Sequence, residues 1–251
     1  VLVAGAGLLL LLAFYIVRWR RLGRDPQGGP LFPHYDPPAE LGPAAQRYLR
    51  RMKYDDRCFT ADIVDLAVAG HVEIRQDAKQ WSLHRLPGGS VDGLPPSQLA
   101  LLAKLFQGGD AVVLRNTNAA TIGGARTAQM QALAKACVPR YFVRNLGTIG
   151  LGVLGWLLVT ALAFVVAAGD GVPLVVVATA LGLVAHFVFG AMMHARTREG
   201  RRLLDQVEGL RLYMGVAEKG ELGAVQGPGS DEPALDAGRY ERLLPYAIAL
   251  D

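Results

Sequence analysis

With 251 residues, 51% of them apolar, and a net charge of +4, the chain has room for one or two small domains together with membrane segments. An excess of four positive charges does not by itself imply nucleic acid; where the basic residues lie matters more than their sum. Cys58 and Cys137 stand far apart with no CxxC or histidine companion, which excludes a recognisable structural zinc motif and reads as two free thiols in a reducing compartment.

Residues 1–17, "VLVAGAGLLLLLAFYIV", are apolar from the first position, and Arg18, Arg20, Arg21 and Arg24 follow at once. A secretory signal carries its charges before the apolar run. The reversed order predicts a transmembrane helix whose start lies upstream, in a longer protein. Residues 18–42, with "GRDPQGGPLFPHYDPPAELGP", are too rich in Pro and Gly for a helix or a central strand. They read as a semi-extended connector that packs an aromatic residue against its domain, although His34, Tyr35 and Asp36 look catalytic in isolation.

A cytoplasmic domain is expected over residues 43–145. "PAAQRYLRRMK" predicts a helix with Pro43 in its first turn, its Arg47, Arg50, Arg51 and Lys53 facing solvent or lipid headgroups. "YDDRCFTADIVDLAVAGHVEI", from Tyr54, predicts a second helix capped by Asp55 or Asp56 and stopped by Gly70. Phe59, Ile63, Leu66 and Gly70 give it one buried stripe, which leaves Asp62 and Asp65 on the opposite, polar side. "HVEIRQDAKQWSLHRL" alternates, with Val72, Ile74, Trp81 and Leu83 pointing one way, and predicts two strands joined around "QDAK". Helix, helix and a two-stranded wing is the order of a winged-helix module. A helix over "PSQLALLAKLFQGG", a strand at "AVVLR" and a longer helix from about Thr121 to Phe142 complete the domain.

Two more spans follow, residues 146–168 and 172–193, each about as long as the roughly 20 residues a bilayer core requires and each without Lys, Arg, Asp or Glu. "GDG" between them makes a hairpin. Arg140 and Arg144 precede this hairpin, Arg196, Arg198, Arg201 and Arg202 follow it, and its loop holds only Asp170. All basic flanks therefore belong to one side. The positive-inside rule makes that side the cytoplasm, so the chain is expected in a bacterial inner membrane with its bulk cytoplasmic. Residues 194–220 predict an amphipathic helix with Leu203, Val207, Leu210, Met214 and Ala217 on one side, 221–235 a linker, and 236–251 a docking segment.

"GRDPQGGPLFPHYDPP", "DRCFTADIVDLAVAGHVEI", the hairpin of spans, "GLRLYMGVAEK" and "RYERLLPYAIAL" together resemble the YciQ-like predicted membrane proteins of bacteria. The resemblance implies a signal peptide and an extracytoplasmic β-rich domain upstream of Val1. That family has no assigned biochemistry, so it supplies no catalytic residues to carry over.

Two phosphate-loop lookalikes fall away. "GLGVLG" (Gly150 to Gly155) and "VAGAGLLL" lie inside apolar spans, whereas a dinucleotide fingerprint needs a strand, a tight turn and a helix start in water. Gly150 and Gly155, with Gly182 and Gly190 on the third span, read instead as places where membrane helices approach closely. His186 is the one ionisable group inside a span. It reads either as functional or as a neutral imidazole bonded to Thr160 or a backbone carbonyl. His194 reads as a headgroup contact.

DNA binding is disfavoured because the helix that would enter the major groove carries Asp62 and Asp65 and lacks Lys or Arg between Arg57 and Arg75. Cys58, Asp62 and Asp65 share a helical side, but Cys58 has no neighbouring base and no histidine stands at ligand spacing. The predicted fold class is a membrane α-helical protein, three transmembrane helices with the last two a hairpin, carrying a small cytoplasmic α+β winged-helix-like domain. Neither catalysis, cofactor, metal nor nucleic acid is expected. The expected partners are the lipid bilayer and either another protein or a second copy, and the Asp62 and Asp65 face is expected to meet either a basic protein partner or Arg residues of the chain's own C-terminal helix.

Overall fold

The computed structural model describes residues 2–77, 80–88, 90–167, 169, 171–218 and 237–251. In chain order these form α1 (Leu2–Leu22), α2 (Pro43–Arg51), α3 (Asp56–Val68), β1 (Val72–Asp77), β2 (Gln80–Arg85), α4 (Pro96–Leu105), β3 (Ala111–Val113), a 3-10 turn (Asn116–Asn118), α5 (Ala119–Cys137), β4 (Phe142–Val143), α6 (Leu146–Ala167), α7 (Val172–Met192), β5 (Ala195–Arg196), α8 (Arg198–Glu218) and α9 (Ala237–Leu250). They divide into two units. One joins residues up to Gln27 with Phe142–Arg198, and the other joins Gly28–Tyr141 with Glu199–Asp251. The tip of the hairpin at Ala78 and Lys79, Asp170, and the expected linker 221–235 lie outside the described residues.

The first unit is a bundle of α1, α6 and α7, with 21, 22 and 21 residues. At 1.5 Å per residue each spans roughly 32 Å, the thickness of a hydrocarbon core. Their outward residues, Leu158, Val165 and Phe187 among them, are apolar and exposed, a surface suited to lipid rather than water. One end of the bundle is tied by Asn145. Its carboxamide nitrogen donates to the carbonyls of Leu22 at 3.0 Å and Met193 at 2.8 Å, and its own carbonyl accepts from Thr148 at the start of α6. The C-terminal ends of α1 and α7 and the N-terminal end of α6 therefore meet at one end of the unit. There β4 pairs antiparallel with β5, and Arg196 donates from both its backbone and its guanidinium to Asp25. The basic flanks Arg20, Arg21, Arg144 and Arg196 gather at that same end.

In the second unit α3 is central, packed by α2, α4 and α9 and by β1. Gly70 adopts φ +75°. Its N–H bonds to Ala67 and the His71 N–H to Leu66, so the last carbonyls of α3 are satisfied where the sequence placed its stop. The sheet runs β1-β2-β3, all antiparallel. Ile63, Leu66, Val72, Leu83, Leu101, Leu105, Phe106 and Val112 form the core between sheet and helices.

The connector, though free of helix and strand, lies along α8: Gly209 leaves no room for a Cβ beneath the Phe32 carbonyl, and Tyr35 meets Tyr213 edge-on at 5.1 Å. The buried side of α8 holds the expected Leu203, Val207 and Leu210 together with Leu204 and Tyr213, which faces this covering segment; the Ala217 side chain lies outside the described residues. The basic residues of α2 do not all face outward, for reasons given below.

Candidate functional site

Asp62 is fully buried. Its Oδ2 accepts from the Gln129 carboxamide at 2.8 Å and the Ser97 hydroxyl at 3.0 Å, and its Oδ1 from the Ala44 N–H at 3.3 Å. These donors come from α5, α4 and α2, so one carboxylate joins four helices. Gln129 also donates to the Cys58 carbonyl and accepts from the Tyr54 hydroxyl. Burial pushes the Asp62 carboxyl up to about 6 although its three donors pull it back. The expectation that Asp62 sits on an open polar face is therefore corrected. One apolar stripe suffices for a helix with one neighbour, but α3 is enclosed on several sides, and its second side is buried through hydrogen bonds.

Asp65, one turn on, is half-buried. Burial raises its pKa, while Gln98 donates to it at 2.6 Å. The element over this side is α9, whose Tyr246 is raised by burial and by the neighbouring Asp65 and Asp62 carboxylates. A cleft of about 440 Å³ opens between them, lined by Asp65, Val68, Arg239, Arg242, Leu243 and Tyr246, with Asp36 and Pro37 of the connector. Arg239 in this cleft pairs with Asp36 and donates to the Tyr35 carbonyl. The chain's own C-terminal helix thus packs on α3, and its Arg239, Arg242 and Tyr246 line the same cleft as Asp65.

The end of α9 is held by arginines. Arg47 donates to the Ala249 carbonyl at 2.8 Å, Arg50 to Leu250 at 3.0 Å, and Arg211 to Leu250 at 3.1 Å. Cations at the last carbonyls of a helix satisfy its orphan acceptors and its negative dipole end together. Glu208 engages Arg50, and Asp55 takes Arg47 through both oxygens at 2.6 and 2.5 Å. Arg47 is consequently buried, not solvent-facing, because α9 supplies acceptors that α2 alone does not reveal. Asp55 is at the cap position of α3 but gives it no side-chain hydrogen bond. Burial pushes its carboxyl up, yet the Arg47 guanidinium outweighs that and holds it below its ordinary value. Cys58 and Cys137 are both buried, and burial pushes each thiol up to about 12, which leaves little thiolate for nucleophilic chemistry.

At the far end of the sheet the buried face continues into the open. Ile74 pairs with Leu83, Trp81 stands diagonally beside Ile74, and the Leu114 N–H bonds to the Trp81 carbonyl at 2.8 Å. Val72 and Leu83 at the base are 1% exposed, whereas Ile74, Trp81 and Leu114 are 37, 47 and 40% exposed. The alternation in sequence gave the common face correctly, but it could not tell how far the core reached along it.

In the membrane unit the His186 ring nitrogen Nδ1 meets the Tyr15 hydroxyl of α1 at 2.6 Å, so its partner is Tyr15 rather than Thr160. The small residues divide. Gly182 receives the Trp156 indole, Gly152 receives Tyr15, and Gly7 receives Val159, with no room for a Cβ at any of them. Gly150, Gly155 and Gly190 have open space there instead. Periodicity singled out glycines, but which of them takes a large side chain depends on rotations that sequence spacing leaves open.

A family model described as "Predicted membrane protein (DUF2207) C-terminal domain" matches residues 32–251. A stretch of 82 residues is 39% identical to "Uncharacterized protein YciQ" of Escherichia coli (strain K12), covering 31% of this chain and 13% of that protein. The matched stretch is thus a small part of the relative's length. No solved structure matches.

Proposed function

The chain belongs to the DUF2207 family of predicted membrane proteins, and from that premise we propose a non-enzymatic protein of the bacterial inner membrane whose second unit is a cytoplasmic protein-interaction module. We read α2, α3 and the β1–β2 hairpin as a winged-helix-like arrangement turned to protein rather than DNA. Supporting this, α3 is the helix that would read a groove, and its sides are taken up by Asp62's donors and by α9. The groups that could carry chemistry are occupied internally: Asp62 by three donors, Asp55 by Arg47, and both thiols by burial.

The observation that carries the reading is the strip of Ile74, Trp81 and Leu114, an apolar continuation of the core face that stays exposed among the described residues. Its chemistry suits a partner protein with an aliphatic or aromatic side chain to place on Trp81. A photoreactive amino acid at Trp81, in the full-length protein in native membranes, tests it. The expected product is one discrete protein adduct that disappears when Ile74 is also changed to Glu. Adducts to lipid alone, or adducts unaffected by Ile74→Glu, overturn the reading. A second reading, a subunit of an envelope transport or signalling complex, draws on the interlocked bundle and its Tyr15–His186 pair.

A further inference from the structure

Within the bundle α1 and α6 pack side by side, and small residues let them approach: Gly7 receives Val159, and Gly152 receives Tyr15. Outside this seam they leave a groove of about 200 Å³. Leu10 and Phe14 of α1 line one side, Leu151 and Val159 of α6 the other, and Trp156 is buried at its base. Gly155 also lines it, and a Cβ there would meet nothing within 4 Å. From Gly7 to Phe14 the groove follows α1 for about 10 Å. Leu10 and Leu151 on its rims are exposed, so it opens toward hydrocarbon. Beyond Phe14 the same face of α1 continues at helical spacing to Arg18 and Arg21. The Arg18 guanidinium stands over the Phe14 ring, 5.6 Å from its centre, which places a cation one turn beyond the apolar groove. Among the described residues Arg18, Arg20, Arg21 and Arg24 form no ion pair, and the carboxylate at this end, Asp25, is taken by Arg196.

We propose that the α1–α6 groove is a binding site for one anionic phospholipid, with an acyl chain lying along Gly155 between Phe14 and Val159 and the phosphate held by Arg18 and Arg21. An apolar channel that ends at a cation is complementary to an amphiphile with a hydrocarbon tail and a negative head. The two parts have different tasks. Inside a bilayer the groove gains no hydrophobic driving force, because lipid tails are as apolar as its own walls. It fixes where a chain lies by packing, while the arginines select the charge of the headgroup. The same charges argue against a second copy of this chain as the occupant. A two-fold axis through the groove would set the unpaired arginines of both α1 helices side by side, with no carboxylate to separate them.

Trp156 reports on the groove that it lines. With Trp19→Phe and Trp81→Phe it is the one remaining tryptophan of the chain. This parent is reconstituted in phosphatidylcholine vesicles, and its fluorescence is quenched with rising fractions of phosphatidylglycerol or phosphatidylcholine carrying brominated acyl chains. Brominated phosphatidylglycerol is expected to reach half-quenching at a roughly fivefold lower fraction, the preference that about one basic residue near an anionic leaflet implies. Arg18→Gln is expected to bring the two lipids to equality. Gly155→Leu, which fills the groove, is expected to remove the extra quenching by phosphatidylglycerol. Arg20→Gln is expected to keep it, because Arg20 is two residues on and more than half a turn around the helix from Arg18. Equal quenching by the two lipids in the parent overturns the proposal. So does a preference that survives Gly155→Leu, or one that Arg20→Gln lowers as much as Arg18→Gln, which would show diffuse attraction to the arginines alone. A disulfide between copies of a Gly155→Cys variant in the same vesicles would put a second copy in the groove and overturn it as well.

Discussion

Gln129 and Asp62, 67 positions apart, share a 2.8 Å hydrogen bond in the interior of the second unit. Gln129 also donates to the Cys58 carbonyl and accepts from the Tyr54 hydroxyl, so what it brings to Asp62 is a neutral donor. The bond therefore stabilises a carboxylate by neutral donors alone, which is costly at neutral pH. Since burial raises the folded-state pKa to about 6 from 3.8, the contribution of Asp62 to stability is greatest below pH 4 and is lost as pH rises through about 6. Asp62→Asn removes the ionisation. It is expected to flatten the stability of this unit between pH 4 and 6, while its NH2, in place of an oxygen that accepts in the wild type, leaves it less stable than the wild type at pH 4. Denaturant unfolding of the detergent-solubilised chain at pH 4 and pH 7.5 checks this. A variant that keeps the pH dependence of the wild type contradicts it.

Arg47 couples two elements remote in sequence, Asp55 at the start of α3 and the Ala249 carbonyl at the end of α9. With its side chain 6% exposed and that of Asp55 28% exposed, Arg47→Ala is expected to cost about 2–4 kcal/mol, near the range for breaking a buried pair. Arg47→Lys is expected to recover little, because an ammonium cannot reach both Asp55 oxygens and a carbonyl in one plane. Unfolding of the three proteins side by side, with protease sensitivity of α9 as a second readout, tests both statements.

Much of this was legible in the residues. The spans announced themselves by uncharged length, α3 by its Phe59–Ile63–Leu66 stripe, and its end by Gly70, whose φ of +75° is open to glycine at little cost. What could not be read were the partners. Helical periodicity assigns faces relative to one neighbour, so Asp62 looked exposed when Gln129, Ser97 and Ala44 were waiting on other helices. Arg47 looked solvated for the same reason. Asn145 carries no motif at all, yet it bonds the ends of α1 and α7 because its backbone turns there to φ +48°. Tyr15 and His186 are 171 positions apart, and nothing local to either foretells the other.

The hairpin separates burial from exposure along one face, so neighbouring substitutions should differ sharply. Leu83→Ala, at a fully enclosed position, is expected to cost about 2–5 kcal/mol through lost burial and the cavity left behind. Trp81→Ala, half-exposed two residues earlier, is expected to cost under about 1.5 kcal/mol while weakening whatever binds the strip. Chemical denaturation ranks the two. Equal losses would mean that the strip is covered within the unit.

Topology can be read with cysteines, since the two native thiols are buried. Asn145 brings the ends of α1, α6 and α7 together, so the α6–α7 turn belongs to the opposite face of the bilayer. Gly171→Cys is expected to react with a membrane-impermeant maleimide added outside spheroplasts. Arg21→Cys and Arg198→Cys are expected to react only after the membrane is opened. Labelling of all three from one side would overturn both the positive-inside orientation and the three-span count.

The glycines of the bundle give the last test. At Gly182 a Cβ has no room beside the Trp156 ring, and at Gly152 none beside Tyr15. Because the atoms in the way belong to an indole and a phenol wedged between helices, neither can swing aside without unpacking a neighbour. Gly182→Ala and Gly152→Ala should therefore each cost about 1–3 kcal/mol by overpacking. Gly150→Ala and Gly155→Ala, with open space at the same point, should be neutral or slightly stabilising, since alanine is the better helix former. Tyr15→Phe should fall between, at about 1 kcal/mol for one hydrogen bond inside a membrane. Thermal denaturation in a mild detergent orders all five. If the Gly150 or Gly155 variant proved the most damaging, that glycine would instead mark a contact with a second copy or a neighbouring helix.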